Sequence, residues 1–154
     1  MSKIDVAAIS PIVGSSYPSP FNEPCRTRQN KRLGDAAGLT QFGVNLTRLP
    51  KGAWSSQRHW HRLEDEFIYV LEGEVMLVTD AGEERLVAGD CAGFKAGVQD
   101  GHHFQNRSNT DAVLLTIGSR MEGESGEYSD IDMVFKRVPG GRSGPYAHKD
   151  GTPY

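Results

Sequence analysis

Three side chains that can bind a metal ion lie close together in the sequence: His59, His61 and Glu66. They belong to the stretch GAWSSQRHWHRLEDEFIYVLEG, residues 52–73, much of which has the composition of β-strands. Residues two apart in a strand point the same way, so we expect the two imidazoles side by side on one face. Two neutral imidazoles and a carboxylate suit a divalent first-row metal ion, and they leave coordination positions open for chemistry.

A fourth candidate ligand follows in the stretch GDCAGFKAGVQDGHHFQN, residues 89–106. A glycine-rich turn leads there into another predicted strand, which begins near His102. The adjacent His103 is the alternative ligand from this segment.

The two stretches resemble the two sequence motifs of the cupin superfamily, G-x5-H-x-H-x3or4-E-x6-G and G-x5-P-x-G-x2-H-x3-N. The first motif runs from Gly52 to Gly73, with one extra residue in its first gap. In the second motif Lys95 replaces the proline, and two extra residues precede His102. His102 keeps the three-residue spacing to Asn106, which favours it as the family's histidine.

This resemblance implies a metal site inside a small β-barrel. The longer turn puts Asp100 where the family spacing would put the histidine, and it leaves His103 as a substitute. The implied cofactor is one divalent metal ion per chain, either iron, manganese, nickel or zinc. Its implied ligands are His59, His61, Glu66 and His102.

Short strand patterns bounded by turn residues recur along the middle of the chain. No segment has the length and the 3.6-residue period of a long helix. We therefore predict an all-β fold, a single-domain jelly-roll barrel, which is also the architecture that the cupin resemblance implies. Glu72 and Gly73 are expected to form a tight hairpin turn between two strands. The predicted strands are TQFGVNLTRL, WSSQRHWH, EFIYVL, EVMLVT, ERLVA, CAGFK, HFQNR and AVLLTIGS.

Composition divides the chain into three parts. Residues 1–37 are rich in Ser, Pro, Asn and Arg and are predicted to form an extended N-terminal arm. Residues 38–120 contain the barrel strands, and residues 121–154 contain a last strand and a tail that packs on the barrel or on a partner. The cupin resemblance implies a homodimer that exchanges such terminal segments.

Charge and hydropathy restrict the possible partners. The net charge of -3, with no run of Lys or Arg, argues against a nucleic-acid partner. No stretch approaches the roughly 18 apolar residues that a membrane span requires, and the N-terminus does not have the pattern of a signal peptide. We therefore expect a cytoplasmic protein whose partner is a small molecule.

Two further side chains are candidates for catalysis. Gln57 is expected on the strand face of His59 and His61, where it could bind a substrate; the alternative is an amide bound to backbone at the barrel end. Glu64, in the polar turn, could act as a general base, and the alternative is a solvated turn carboxylate. Tyr69 is expected to point outward, and Asn106 to fix a turn.

Three functions are compatible with this site. The favoured one is a non-redox metalloenzyme, an isomerase, epimerase or lyase, that acts on a small oxygen-rich metabolite such as a sugar phosphate or keto acid. The second is an Fe(II)-dependent dioxygenase, and the third is a cupin that binds a small molecule without catalysis. The ligand set alone does not separate them.

Overall fold

Short antiparallel strands make up most of the regular structure. The computed structural model describes residues 3–138 and 142–154; residues 1–2 of the predicted arm and 139–141 of the predicted tail lie outside the described residues. The helical elements there are a 3-10 turn, Glu23–Cys25, and α1, Leu33–Ala36. The strands are β1 (Ile12–Val13), β2 (Gln29–Arg32), β3 (Phe42–Leu49), β4 (His59–His61), β5 (Glu66–Glu72), β6 (Glu74–Thr79), β7 (Gly82–Val87), β8 (Cys91–Phe94), β9 (His103–Gln105), β10 (Ala112–Ser119), β11 (Ser125–Tyr128), β12 (Val134–Val138) and β13 (Arg142–Ala147).

The strands form two layers. One layer is a six-stranded sheet with the order β1-β2-β3-β10-β5-β8. The other contains a four-stranded sheet, β13-β12-β11-β4, and a three-stranded sheet, β7-β6-β9. Isolated bridges between His59 and His102 and between Trp54 and Gln105 join these two smaller sheets at their edges. The predicted all-β jelly-roll barrel is confirmed.

The hydrophobic core lies between the two layers and closes one end of the barrel. It takes residues from both, because alternate positions of each strand face inward. Ile68, Phe104 and Leu114 belong to this core and also line the cavity that contains the candidate metal ligands. The core therefore forms the floor of that cavity. Its buried members are Leu49, Ala53, Ile68, Val70, Val75, Leu77, Leu86, Phe104, Ala112 and Leu114.

The predicted hairpin at Glu72 and Gly73 is wrong. β5 pairs with β10 and β8, whereas β6 pairs with β7 and β9, so the chain passes here from one layer to the other. Gly73 has a φ of 72°, and a Cβ at this position would lie 2.5 Å from the carbonyl oxygen of Asp111. The alternation of side chains is the same in a hairpin and in such a crossing, so the pattern could not distinguish them.

The strand predicted at WSSQRHWH is shorter than expected. Only His59–His61 is a strand, and residues 55–58 bend. The hydroxyl of Ser55 accepts a hydrogen bond from the backbone N–H of Phe104 at 2.9 Å, and Arg28 donates to the Ser55 carbonyl. These side-chain bonds replace part of the strand ladder before His59.

Segments on both sides of residues 38–120 pair with the barrel strands. β2 runs antiparallel to β3, and β11 runs antiparallel to β4. A second buried cluster consists of Tyr128, Met133 and Phe135, and its rings contact the imidazoles of His59 and His61 on β4. Within the described ranges, no helix has the length and apolar character needed to cross a membrane.

Gly126 allows β11 to lie against β4. It is the register partner of His61, and a Cβ there would collide with the carbonyl oxygen of Trp60 and with the ring of Phe135. Neither the backbone of β4 nor a buried ring can move away easily, so only glycine fits.

We predict that Gly126→Ala lowers the free energy of unfolding by about 2 kcal/mol or more, because the added methyl overpacks this strand pair. Urea denaturation followed by circular dichroism measures the change. Gly93→Ala is the matched control: its Cβ would lie 3.9 Å from the Phe67 ring, and we expect less than about 1 kcal/mol. Equal midpoints for Gly126→Ala and the wild type would contradict this account of the β4–β11 pairing.

Candidate metal centre

β4 carries His59 and His61 on one face, as strand alternation predicts. Their Nε2 atoms are 3.1 Å apart, and both side chains line the cavity. Two metal–nitrogen bonds of about 2.1 Å at a right angle would separate the nitrogens by about 3.0 Å. The observed spacing therefore fits two neighbouring ligands of one metal ion.

The tautomers of both rings follow from their other nitrogens. His59 Nδ1 lies 2.9 Å from the carbonyl oxygen of Gln57, which can only accept, so Nδ1 carries the proton. His61 Nδ1 lies 3.1 Å from the carboxylate of Glu124 and donates to it. Both Nε2 atoms then present lone pairs toward the same point, as metal-ligating histidines do.

Glu66, the first residue of β5, completes a group of three ligands. One ligand atom from each of His59, His61 and Glu66 lies within 4.8 Å of the other two. Glu66 Oε2 also lies 2.7 Å from His102 Nε2. The structure therefore brings all four of the residues predicted as ligands to one end of the cavity.

His102 is fixed by its neighbours as well as by Glu66. Its ring stacks on Phe94, with centroids 3.5 Å apart and an interplanar angle of 3°. Its buried Nδ1 has no hydrogen-bond partner among the described residues. A ligating nitrogen carries no proton, so coordination through Nε2 requires the proton now shared with Glu66 to leave or to move to Nδ1.

The two other candidate ligands from this loop, His103 and Asp100, lie outside the cavity. His103 Nδ1 is 3.0 Å from the Ser56 carbonyl oxygen, and His103 Nε2 is 2.9 Å from Gln105. Asp100 accepts a hydrogen bond from the Asp80 backbone N–H at 2.8 Å. Neither His103 nor Asp100 lines the cavity.

Charge in the group is set by burial and by close partners. Burial, together with nearby His61, lowers the pKa of His59 to about 3, so this imidazole is neutral. Burial raises the pKa of Glu66, but the hydrogen bond from His102 and the surrounding imidazoles outweigh it and bring the value to about 2. A neutral imidazole beside an ionised carboxylate is the donor set that a divalent cation requires.

Glu124 is a functional candidate that the sequence reasoning missed. Its side chain is buried and accepts hydrogen bonds from His61 and from the backbone N–H groups of Arg62 and Leu63, the last at 2.8 Å. It lies in the segment MEGESGEYSD, which holds several acidic residues and no spacing that singles one out. Only the pairing of β11 with β4 brings it to His61. A carboxylate on Nδ1 orients a ligating imidazole and raises its basicity.

Gln57 does not share the face of His59 and His61. The strand begins only at His59, so the alternation does not extend to Gln57. Its Nε2 donates to the Phe21 carbonyl at 2.7 Å, and it is not among the residues that line the cavity.

Glu64 is not a solvated turn carboxylate. It is 3% exposed, lines the cavity, accepts a hydrogen bond from the Met121 backbone N–H at 2.8 Å and forms an ion pair with Arg137. Burial raises the pKa of Glu64 despite these partners. One of its oxygens lies within 4.8 Å of ligand atoms of His61 and Glu124.

Two other expectations are confirmed. Tyr69 points outward and is exposed. Asn106 fixes a turn, because its Nδ2 donates to the carbonyl oxygens of Leu49 and Thr110, each at 2.7 Å.

The cavity above the core has a volume of about 260 Å³ and mostly polar walls. A pocket of this size fits a small metabolite. Beyond the candidate ligands its polar walls include Arg28, Asn30, Arg32, Asn45, Thr47, Glu64, Thr116, Arg120 and Arg137.

Known proteins share both the sequence pattern and the fold. The family model described as a cupin domain matches residues 45–118. A structure from Silicibacter pomeroyi DSS-3, described as a sugar phosphate isomerase from a cupin superfamily, is 46% identical, with a TM-score of 0.93. That similarity covers 99% of this chain and 96% of the other. The chain belongs to the cupin superfamily.

More distant cupin-like structures extend the comparison. A putative sugar phosphate isomerase from Acidithiobacillus ferrooxidans ATCC 23270 is 28% identical over 83% of this cupin and 80% of its own chain, with a TM-score of 0.73. A predicted oxalate decarboxylase from Thermotoga maritima is 20% identical over 78% of this chain and 100% of its own, with a TM-score of 0.60, and shares the fold alone. No curated protein matches the sequence. Cupins commonly bind a metal ion, and the group of His59, His61 and Glu66 could hold one.

We predict that Glu124→Gln weakens divalent metal binding by about 10- to 100-fold, because His61 loses the charged acceptor that orients it. Calorimetric titration of Zn²⁺ into chelator-treated protein measures the affinity, and circular dichroism verifies the fold. Glu122→Gln, an exposed acid two residues away, should bind like the wild type. The same Zn²⁺ affinity in all three proteins would show that Glu124 does not contribute to metal binding.

Proposed function

We propose that this cupin is a metal-dependent isomerase that acts on a small phosphorylated sugar. The observation that carries the proposal is the relative that is 46% identical over 99% of this chain and is described as a sugar phosphate isomerase. The polar cavity next to the His59, His61 and Glu66 group supports it, because a sugar presents several hydroxyls to such walls.

In this proposal the metal ion is held by His59, His61 and Glu66, with His102 as the fourth ligand. When bound, a divalent metal acts as a Lewis acid that polarises a carbonyl or hydroxyl oxygen of the sugar. Glu124 keeps His61 in the ligating tautomer, and the Gln57 carbonyl does the same for His59. Phe94 holds the plane of the His102 ring.

Glu64 is the proposed proton carrier. Interconversion of an aldose and a ketose moves one proton between two adjacent carbons and one between their oxygens, with no net gain or loss of atoms. A carboxylate that faces the cavity with a raised pKa can take the carbon-bound proton and return it to the neighbouring carbon. Arg137 and the Met121 backbone N–H hold Glu64 in place for this transfer.

The cavity walls carry polar side chains that can bind the hydroxyl groups of a sugar. Asn45 and Thr116 are register partners on β3 and β10, and both side chains line the cavity. They offer hydrogen-bond donors and acceptors to sugar hydroxyls. The apolar floor of Ile68, Phe104 and Leu114 prevents solvent from entering through the opposite end of the barrel.

A homodimer is also part of the proposal. The outer face of the six-stranded sheet carries apolar cross-strand pairs, Leu115 with Tyr69 and Ile117 with Phe67. Phe67 is 40% exposed and Tyr69 is 37% exposed. A groove on the same face is lined by Lys31, Arg48 and Glu72, so two copies related by a two-fold axis could pair opposite charges around an apolar centre.

The activity is tested with the metal-loaded protein and a panel of aldose and ketose phosphates, followed by proton NMR in D₂O. We expect interconversion with deuterium incorporated at the reacting carbon. Glu64→Gln should retain its metal and lower kcat by about 100-fold or more. His61→Ala should lose both metal and activity. Absence of interconversion with the whole panel, or substrate-dependent oxygen uptake by the Fe(II) form, would contradict the proposal; oxygen uptake would support a dioxygenase.

We further predict that Phe67→Asp converts the dimer to a monomer, because a charge at the centre of an apolar interface cannot be solvated. Light scattering coupled to size-exclusion chromatography should give twice the chain mass of 16.9 kDa for the wild type and the single mass for the variant. Val87→Asp changes an exposed apolar residue on the other layer and should remain dimeric. A monomeric wild type, or a dimeric Phe67→Asp, would exclude this interface.

A further inference from the structure

β2 brings positive charge into the cavity. Arg28, Asn30 and Arg32 alternate along this segment and line the cavity, whereas Gln29 and Lys31 line a groove on the outer face of the sheet. The alternation follows from the pairing of β2 with β3, which places every second side chain inward. The candidate metal ligands lie on β4 and β5 and beside β9, so this cationic wall is separate from them.

Arg32 and Arg120 share one carboxylate at this wall. Asp35 Oδ2 lies 3.7 Å from Arg32 Nη1, and Asp35 Oδ1 forms an ion pair with Arg120 Nη2. Arg120 Nη1 also donates to the Leu39 carbonyl at 2.8 Å. The three charges sum to +1, and the Arg32 side chain is 38% exposed, so its guanidinium can reach a ligand in the cavity.

The position of Asp35 is fixed by the packing of α1. A Cβ on Gly34 would lie 2.8 Å from the backbone nitrogen of Val44, so α1 is in direct contact with β3. This contact holds Asp35 between the two arginines, which keeps their guanidinium groups close together.

The sheet positions between this wall and the candidate metal ligand Glu66 are glycines, so no side chain fills the space above them. Glu66 is the register partner of Gly118, and Gly118 is the register partner of Gly43. A Cβ on Gly43 would lie 3.5 Å from Arg120 Nη2. β3 and β5 are two strand spacings apart, about 10 Å. The two glycines leave room for several carbon atoms between Glu66 and the guanidinium of Arg120.

We propose that Arg32 and Arg120 bind the phosphate group of the substrate, while its reacting carbons lie at the metal site over Gly43 and Gly118. The proposal rests on the proposed function for the identity of the anion. Guanidinium groups bind phosphate oxygens through paired, charge-assisted hydrogen bonds, and two of them around one anion match its shape and charge. Asp35 orients both arginines and, by competing for them, weakens their hold on the anion.

Inorganic phosphate is the probe, titrated calorimetrically into the metal-loaded protein at constant ionic strength. We expect Arg32→Gln to weaken phosphate binding by at least about tenfold, because a charge-assisted hydrogen bond is lost. Lys31→Gln removes the same charge from the outer face of the same strand and should leave the affinity within about twofold. Asp35→Asn should tighten binding, since it removes the competing carboxylate.

A wild type that does not bind millimolar phosphate overturns the subsite. Equal effects of Arg32→Gln and Lys31→Gln do so too, because the loss would then reflect net charge alone.

Turnover separates this inference from the proposed function. Arg32→Gln should raise KM much more for a phosphorylated sugar than for the corresponding unphosphorylated sugar. Phosphate binding that depends on Arg32 without any isomerisation would support the subsite and reject the isomerase. Isomerisation of sugar phosphates that is insensitive to Arg32→Gln would support the isomerase and reject the subsite.

Discussion

Two half-buried imidazole nitrogens that face each other need a positive charge between them, either a metal ion or a shared proton. This constraint governs the site. The Gln57 carbonyl and the Glu124 carboxylate accept hydrogen bonds from the Nδ1–H groups of His59 and His61, which directs both Nε2 atoms to one point. Their separation of 3.1 Å is that of neighbouring ligands on a metal ion. Glu66 supplies the nearby negative charge; burial keeps the pKa of His59 at about 3, whereas the hydrogen bond to Glu124 outweighs burial and raises the pKa of His61.

The rest of the fold maintains that arrangement. β4 is only three residues long, and its position depends on β11 at one edge and on the bridge to His102 at the other. β11 brings Glu124 to the back of His61, which requires glycine at position 126. The opposite wall of the cavity depends in the same way on β2, which pairs with β3. Segments far apart in the sequence therefore supply the candidate metal ligands, the groups that orient them and the cationic wall.

Local pattern was enough to predict the parts of the site that depend on local geometry. The alternation of His59 and His61, the outward position of Tyr69 and the all-β fold all follow from strand periodicity and turn residues. The pattern failed where tertiary contacts override it. Gln57 left the predicted face because Ser55 bonds to Phe104 and bends the backbone, and Glu64 was buried because Arg137 and the Met121 N–H satisfy its carboxylate. Glu124 reaches His61, and Arg120 reaches the cavity, only through pairing between distant segments, for which the sequence carries no spacing signal.

X-ray absorption spectroscopy of the Zn²⁺-loaded protein tests the central claim most directly, because it reports the ligands of the bound ion itself. The account predicts a shell of nitrogen and oxygen atoms at about 2.0–2.2 Å, with the outer-shell scattering of three imidazoles. A shell of oxygen atoms without imidazole scattering, or a sulfur shell at about 2.3 Å, would contradict it.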